Sequence, residues 1–254
     1  MRKMCVLAVL GISGCVVTSG FDRGELHMAL DKEGVQITED TVRKALELRP
    51  QLHFPCKVAI YLHDPGSNYE WRWSAKDKEI ILSWMEGLRR EGIVADAFFM
   101  TGMFTSGSTM KEVRLAAAQH GADAVLVVKG AYQTDSYMNP AAILNVTILG
   151  GYILPASHRD ALFIMQGGLV DVANGYLYAT VESEGQASIM RPTFTIQDKD
   201  AVEPAKKKAI ESLGPELTRR LRNLRGYPFT SARPSTSARL ERPQLDLSVT
   251  PAKQ

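Results

Sequence analysis

Leu169-Val-Asp-Val-Ala-Asn-Gly-Tyr-Leu-Tyr178 reads as a β-hairpin. Asn174-Gly175 stands between the apolar stretches Ala161–Val172 and Tyr176–Ser183, and Asn-Gly in that setting is the strongest short-range hairpin signal, because a tight turn needs residues that tolerate positive φ. Glu182, Glu184 and Gln186 then suit a solvated strand end.

Upstream the sequence supplies the rest of a sheet. Lys57-Val-Ala-Ile-Tyr-Leu-His63 is a buried strand closed by Asp64-Pro65-Gly66-Ser67-Asn68. Ser74 caps a helix running through Arg90, with Ile80, Ile81, Trp84, Met85 and Leu88 on one face and Gly92 beyond it. Ile93–Met100 is a second strand, and a helix from Ser108 or Thr109 to His120 ends at Gly121. Ala122–Val128 is a continuous apolar run, the signature of a strand covered on both faces. Downstream, Asp198 or Asp200 opens a long helix in which Val202, Ala205, Ala209, Ile210, Leu213, Leu217, Leu221 and Leu224 recur at three- and four-residue steps. Gly214-Pro215 is expected to kink or split it. The expected class is α/β (α+β): one two- or three-layer domain, a mixed sheet with helices packed on it, a βαβαβ unit followed by a β-hairpin and a long C-terminal helix.

This core spans residues 53–225. Residues 15–52 read as a tether with one short helix, started loosely by Thr38-Glu-Asp-Thr41 without a full capping box and stopped by Pro50. Residues 226–254, with Pro228, Pro234, Pro243 and Pro251 among Ser, Thr and Arg, read as a disordered tail. Ala141–Leu154 is apolar but too short for a transmembrane helix, which leaves a strand, a buried helix or a membrane-touching loop.

Residues 1–14 have the layout of a secretory signal: Arg2 and Lys3, an apolar run from Met4 to Ile12, then small residues. Ile12-Ser13-Gly14-Cys15 resembles the bacterial lipobox, in which the cysteine is acylated (a palmitate-type modification) and the chain is cut before it. Several acyl chains hold a protein stably at a membrane where one does not, at about 0.8 kcal/mol per buried methylene. An uncleaved N-terminal helix, or a cut elsewhere, is the alternative. In such lipoproteins an aspartate after the cysteine often marks inner-membrane retention; Val16 in its place points to the outer membrane.

The composition is that of a globular protein, 45% apolar and 23% charged, and a net charge of +2 implies no nucleic-acid partner. With Cys5 removed and Cys15 acylated, Cys56 is alone and has no disulfide partner within the chain. Opening an apolar run, it reads as a buried structural cysteine in preference to a reactive one beside Lys57.

Four segments carry a family resemblance: Lys57–His63, His120–Gly130, Asn145–Gly185 and Ala201–Leu224. Leu144-Asn-Val-Thr-Ile-Leu-Gly-Gly-Tyr-Ile-Leu154 followed by Leu169–Tyr178 resembles the rhombotarget lipoproteins, and more distantly the curli-secretion (CsgG-like) lipoproteins and the TolB N-terminal domain. The resemblance implies a non-catalytic, partner-binding or assembly module of the cell envelope, facing the periplasm of a Gram-negative-type bacterium. Its alternative implication is an oligomeric secretion or pore component. Rhombotarget-type processing substrates end in a glycine pair, an apolar helix and basic residues; this chain ends in a polar tail, so no such processing is expected.

No catalytic motif, cofactor motif or metal-ligand spacing appears among the five histidines. His63-Asp64 lies at a strand end, where ligands bind in open α/β sheets, and would carry a small hydrolase if a nucleophile or metal joined it; a turn is the simpler reading. Asp96 and His120 are further polar candidates, His120 better read as a helix end. Thr101–Ser108 is a glycine-rich connection without the phosphate-loop ending. Tyr69, Trp71 and Trp73 gather three aromatics near a turn, either for a partner or membrane surface or to cover the end of the core. Tyr152, after Gly150-Gly151, is the fourth partner-contact candidate.

Overall fold

Polar side chains that tie up free N–H groups set the helix starts. Ser74 Oγ accepts from Asp77 N while Asp77 Oδ2 accepts from Ser74 N, and Thr109 and Glu112 repeat the reciprocal pattern. Thr38 and Thr41 do the same, so the weak signal there is a complete capping box. The computed structural model describes residues 20–30, 38–65, 71–101, 109–138 and 157–226. The signal segment, Cys15, Tyr69, Ala141–Leu154 with Tyr152, residues 102–108 and the tail from 227 lie outside the described residues.

The described elements run α1 (Arg23–Leu30), α2 (Glu39–Glu47), β1 (Cys56–Leu62), α3 (Ala75–Arg90), β2 (Val94–Phe99), α4 (Met110–Gln119), β3 (Ala124–Met138), β4 (Ser157–Asp171), β5 (Leu177–Arg191) and α5 (Asp198–Gly226). One mixed sheet has the order β2-β1-β3-β4-β5. β1 is parallel to β2 and β3; β4 is antiparallel to β3 and β5. The chain steps from β1 to β2 on one side, then back across β1 to β3. Right-handed crossovers in opposite directions place their helices on opposite faces, and α3 and α4 are found so.

Alternation of side chains along each strand feeds both faces. Val58, Ile60, Leu126, Val128, Phe163 and Met165 pack under α3 and α5. Ala59, Tyr61, Val125, Val127 and Val170 pack under Val113 and Ala117 of α4. Farther along that second face, Leu26 and Leu30 of α1 close over Ala131, Leu162 and Ile164. The domain therefore has three layers, and residues 23–30 belong to it rather than to a tether. The packed unit begins well before residue 53 because α1 buries two leucines against the long strands.

Three strands outrun their expected lengths, β4 by beginning at Ser157 rather than Ala161. β3 continues to Met138, paired with β4 residue by residue, and β5 to Arg191, paired with β4 apart from a register shift that skips Tyr178. α5 is unbroken through Gly214-Pro215. Pro215 removes a single helical N–H, and the burial of Leu213 before it and of Leu217 and Leu221 after it keeps both halves packed on the core, so the helix is not split. Gly214 is where Trp84 of α3 lies across the helix: a Cβ there would stand 2.4 Å from the indole ring.

Candidate functional site

The predicted hairpin closes as a turn in which Asp171 Oδ1 accepts from Ala173 N (2.8 Å) and Asn174 N (3.2 Å), with Gly175 at φ +80°. Its other carboxylate oxygen takes a very short bond from the Tyr178 hydroxyl. That hydroxyl accepts in turn from Gln51 N (2.9 Å) and Leu52 N (2.8 Å), and Asn174 Nδ2 donates to Arg49 O. The hairpin end thus straps down the segment leading into β1. Burial, then the Asp171 carboxylate, raises the Tyr178 phenol above its ordinary value.

The aromatic cluster divides. Trp71 is 1% exposed and lies edge-on to Phe163 (4.9 Å) and Trp73 (5.2 Å). Gly130 leaves the room: a Cβ there would stand 2.7 Å from the Phe163 ring and 3.3 Å from Trp71. A partner contact has to be reachable, so Trp71 is corrected to a core residue. Trp73 is half-buried and its Nε1 donates to His63 O at 2.9 Å.

His63 continues the sheet, its N–H donating to Val128 O at 2.9 Å, with its half-buried ring edge-on to Tyr61. Asp64 is exposed. His120 is the C-cap of α4, followed by Gly121 at φ +67°, and Asp96 turns back to its neighbour Ala97 N. Among the described residues no three His, Cys, Asp or Glu side chains gather as a metal set. Cys56 is fully buried with Sγ toward Ile93 O (3.6 Å); burial, then nearby Asp123, pushes its thiol up to about 12, far from the thiolate a nucleophile needs.

An open concavity lies elsewhere, on the sheet face between α1 and α4. It measures about 570 Å³, with Val127, Gly168 and Val170 in its floor and Leu30, Met110 and Leu177 around it. Gly168 contributes no side chain, and Leu177 is 53% exposed. One side is polar: Gln166 Nε2 donates to Glu182 Oε2 at 2.9 Å, and His27 Nδ1 stands 3.7 Å from the same oxygen. Arg23 grips Glu184 with two nitrogens, holding α1 to β5. An apolar floor with a polar margin is binding chemistry; His63 and Asp64 do not line it.

Neither the cleft nor α1 was legible as a site from sequence. A signal for the helix existed: Asp22 with Glu25 three residues on, then Leu26 and Leu30 four apart. Asp22 Oδ1 does accept from Glu25 N at 3.0 Å.

No protein-family model matches this chain, and no curated protein does. Among solved structures it is similar to a hypothetical protein of Chlamydia trachomatis (8% identity, 66% of this chain and 99% of that one, TM-score 0.37). It is similar also to a minor lipoprotein of Acinetobacter baumannii (10%, 67% and 93%, TM-score 0.31) and to lipoprotein GNA1162 of Neisseria meningitidis (13%, 66% and 99%, TM-score 0.30). Two of these three are bacterial lipoproteins. TM-scores below 0.5 mark partial overlap and assign neither family nor activity to this chain.

Proposed function

We propose that this protein is a lipid-anchored, non-catalytic module of the bacterial cell envelope, acylated on Cys15 and presenting its α/β domain to the periplasm from the outer membrane. The N-terminal sequence carries this reading: two basic residues, a short apolar run and Ile12-Ser13-Gly14-Cys15. No described helix is long and apolar enough to cross a membrane, so attachment in this reading rests on the acyl chains of Cys15. A partner-binding role is supported by the open cleft between α1 and α4. Trp73 remains a candidate contact at its half-buried edge, together with Tyr69 and Tyr152.

Mass spectrometry of the protein extracted from membranes, beside a Cys15→Ala chain, tests the anchor. The expected result is a wild-type chain beginning at Cys15 with added acyl mass, and a Cys15→Ala chain without it. An unmodified wild-type chain in the soluble fraction overturns the proposal. Crosslinking in intact cells tests the module's role; absence of any recurrent envelope protein counts against partner binding.

A further inference from the structure

Where the chain enters the domain fixes which end of the domain can meet the membrane. Gly20 N donates to Asp135 Oδ2 at 3.1 Å and Asp22 N to Gln133 Oε1 at 2.6 Å, so the entering chain is pinned near the far end of β3. Cys15 precedes Gly20 by five residues, a reach of about 18 Å even when fully extended. Asp135 to Met138, the last residue of β3, is about 10 Å along the strand. Ala124, at the other end of β3, is about 36 Å from Asp135. A lipid on Cys15 therefore lets the Met138 end touch a membrane, while the domain cannot stand on its opposite end: the tether is half the length required.

The same end exposes apolar side chains. Met138 is 57% exposed, Met190 49% and Phe194 57%. Register places the methionines in neighbouring rows, Met138 opposite Ser157 and Met190 opposite His158, and Ser157 pairs with Arg191, three residues before Phe194. Among the described residues two of the basic side chains at this end are paired, Arg159 with Asp198 (3.0 Å) and Arg191 with Asp200 (3.1 Å), which weakens the attraction for anionic headgroups and leaves exposed Lys199 as its remaining source.

We infer that the end of the sheet formed by Met138, Met190 and Phe194 beds on the lipid surface through apolar contact, leaving the hairpin turn at Asn174 and the α3 C-terminus pointing away from it. This rests on the Cys15 anchor proposed above. It is a contact with the acyl–headgroup boundary, indifferent to lipid charge.

The test uses the full chain carrying Phe194→Cys or Arg90→Cys, expressed in a lipoprotein-processing host. Each is labelled with an environment-sensitive fluorophore and reconstituted in phosphatidylcholine vesicles containing brominated acyl chains, with and without phosphatidylglycerol. The unsubstituted chain sets the labelling background, and mass spectrometry of each sample reports acylation of Cys15. Quenching at position 194 at least about threefold stronger than at position 90, equal in both lipid mixtures, is expected for side chains lying within 5–10 Å of the acyl boundary. Equal or absent quenching at the two positions on an acylated chain overturns the inference and leaves the anchor standing. Quenching at 194 only with phosphatidylglycerol overturns the apolar contact in favour of electrostatic attraction. An unacylated chain overturns the anchor itself, and with it the tether on which the orientation depends.

Discussion

Lys206 Nζ and Asp77 Oδ2 stand 2.9 Å apart with side chains 1% and 7% exposed, joining α5 to the first turn of α3 through the core. The ammonium also meets Glu203 (2.9 Å) and donates to Arg72 O (2.7 Å), and lies over the Trp71 ring at 5.9 Å. Its three donors are thus matched by three acceptors, which is what lets a lysine occupy an apolar helix face. Asp77 serves twice, since its carboxylate also closes the α3 capping box.

Removing either partner strands a buried charge. Asp77→Ala and Lys206→Ala should each cost about 3–5 kcal/mol in urea unfolding. The double change Asp77→Leu with Lys206→Met should recover most of that loss, because apolar replacements of similar volume need no partner. A double variant as unstable as either single one would show that the pair is not the source of the cost.

β5 and α5 approach to backbone contact at Gly185, where a Cβ would stand 2.0 Å from Ala205 O and 2.5 Å from Ala209 N. Neither obstacle is a movable side chain, so Gly185→Ala has to lift the helix from the sheet. A loss of about 1–3 kcal/mol or more is expected from overpacking. Gly168→Ala, whose Cβ meets nothing closer than 3.8 Å, should stay within about 0.5 kcal/mol. Thermal unfolding of the two variants side by side checks the contrast.

Cys56 should be silent toward thiol reagents in the folded protein. Its Sγ is buried and its thiol is held up to about 12, so at pH 8 the reactive thiolate is scarce as well as covered. In a chain with Cys5 and Cys15 replaced by serine, titration with a chromogenic disulfide should register one thiol only after denaturant is added. Fast labelling of the native chain would contradict this.

Stability should fall on the alkaline side. Both Cys56 and Tyr178 have folded-state values above their ordinary ones, so the folded state holds these protons more tightly. The contribution of Cys56 is complete below its ordinary value of 9.0 and drains away as pH rises toward about 12; that of Tyr178 is complete below 10.0 and is lost above it. Urea midpoints between pH 8 and 11 should decline, and Tyr178→Phe should flatten the decline above pH 10. At pH 7 the same variant should cost about 1–3 kcal/mol, since Asp171 and two backbone N–H groups lose their partner.

The order of core elements was readable because each has a local cause: capping residues at Ser74 and Thr109, a two-residue alternation, and Asn174-Gly175 at the turn. The candidate site was much less readable. Tyr69, Trp71 and Trp73 look alike in sequence, yet Trp71 is a core side chain because Gly130, on β3 and some sixty residues along the chain, leaves space for its ring. The opening between α1 and α4 has no sequence signature, since its walls are separated by some eighty residues and meet only through the sheet.

Local chemistry, written in runs of ten to twenty residues, settles the strand and helix identities, the hairpin and the lipobox-like Ile12-Ser13-Gly14-Cys15. Only packing settles that α1 is part of the domain, that α5 passes Pro215 unbroken, that Lys206 is buried and that the chain enters beside Asp135. Propensity and periodicity act between near neighbours along the chain. Burial of a charge, room for a tryptophan and the place where a tether meets the sheet depend on residues brought together from distant positions, and a single sequence does not encode those distances locally.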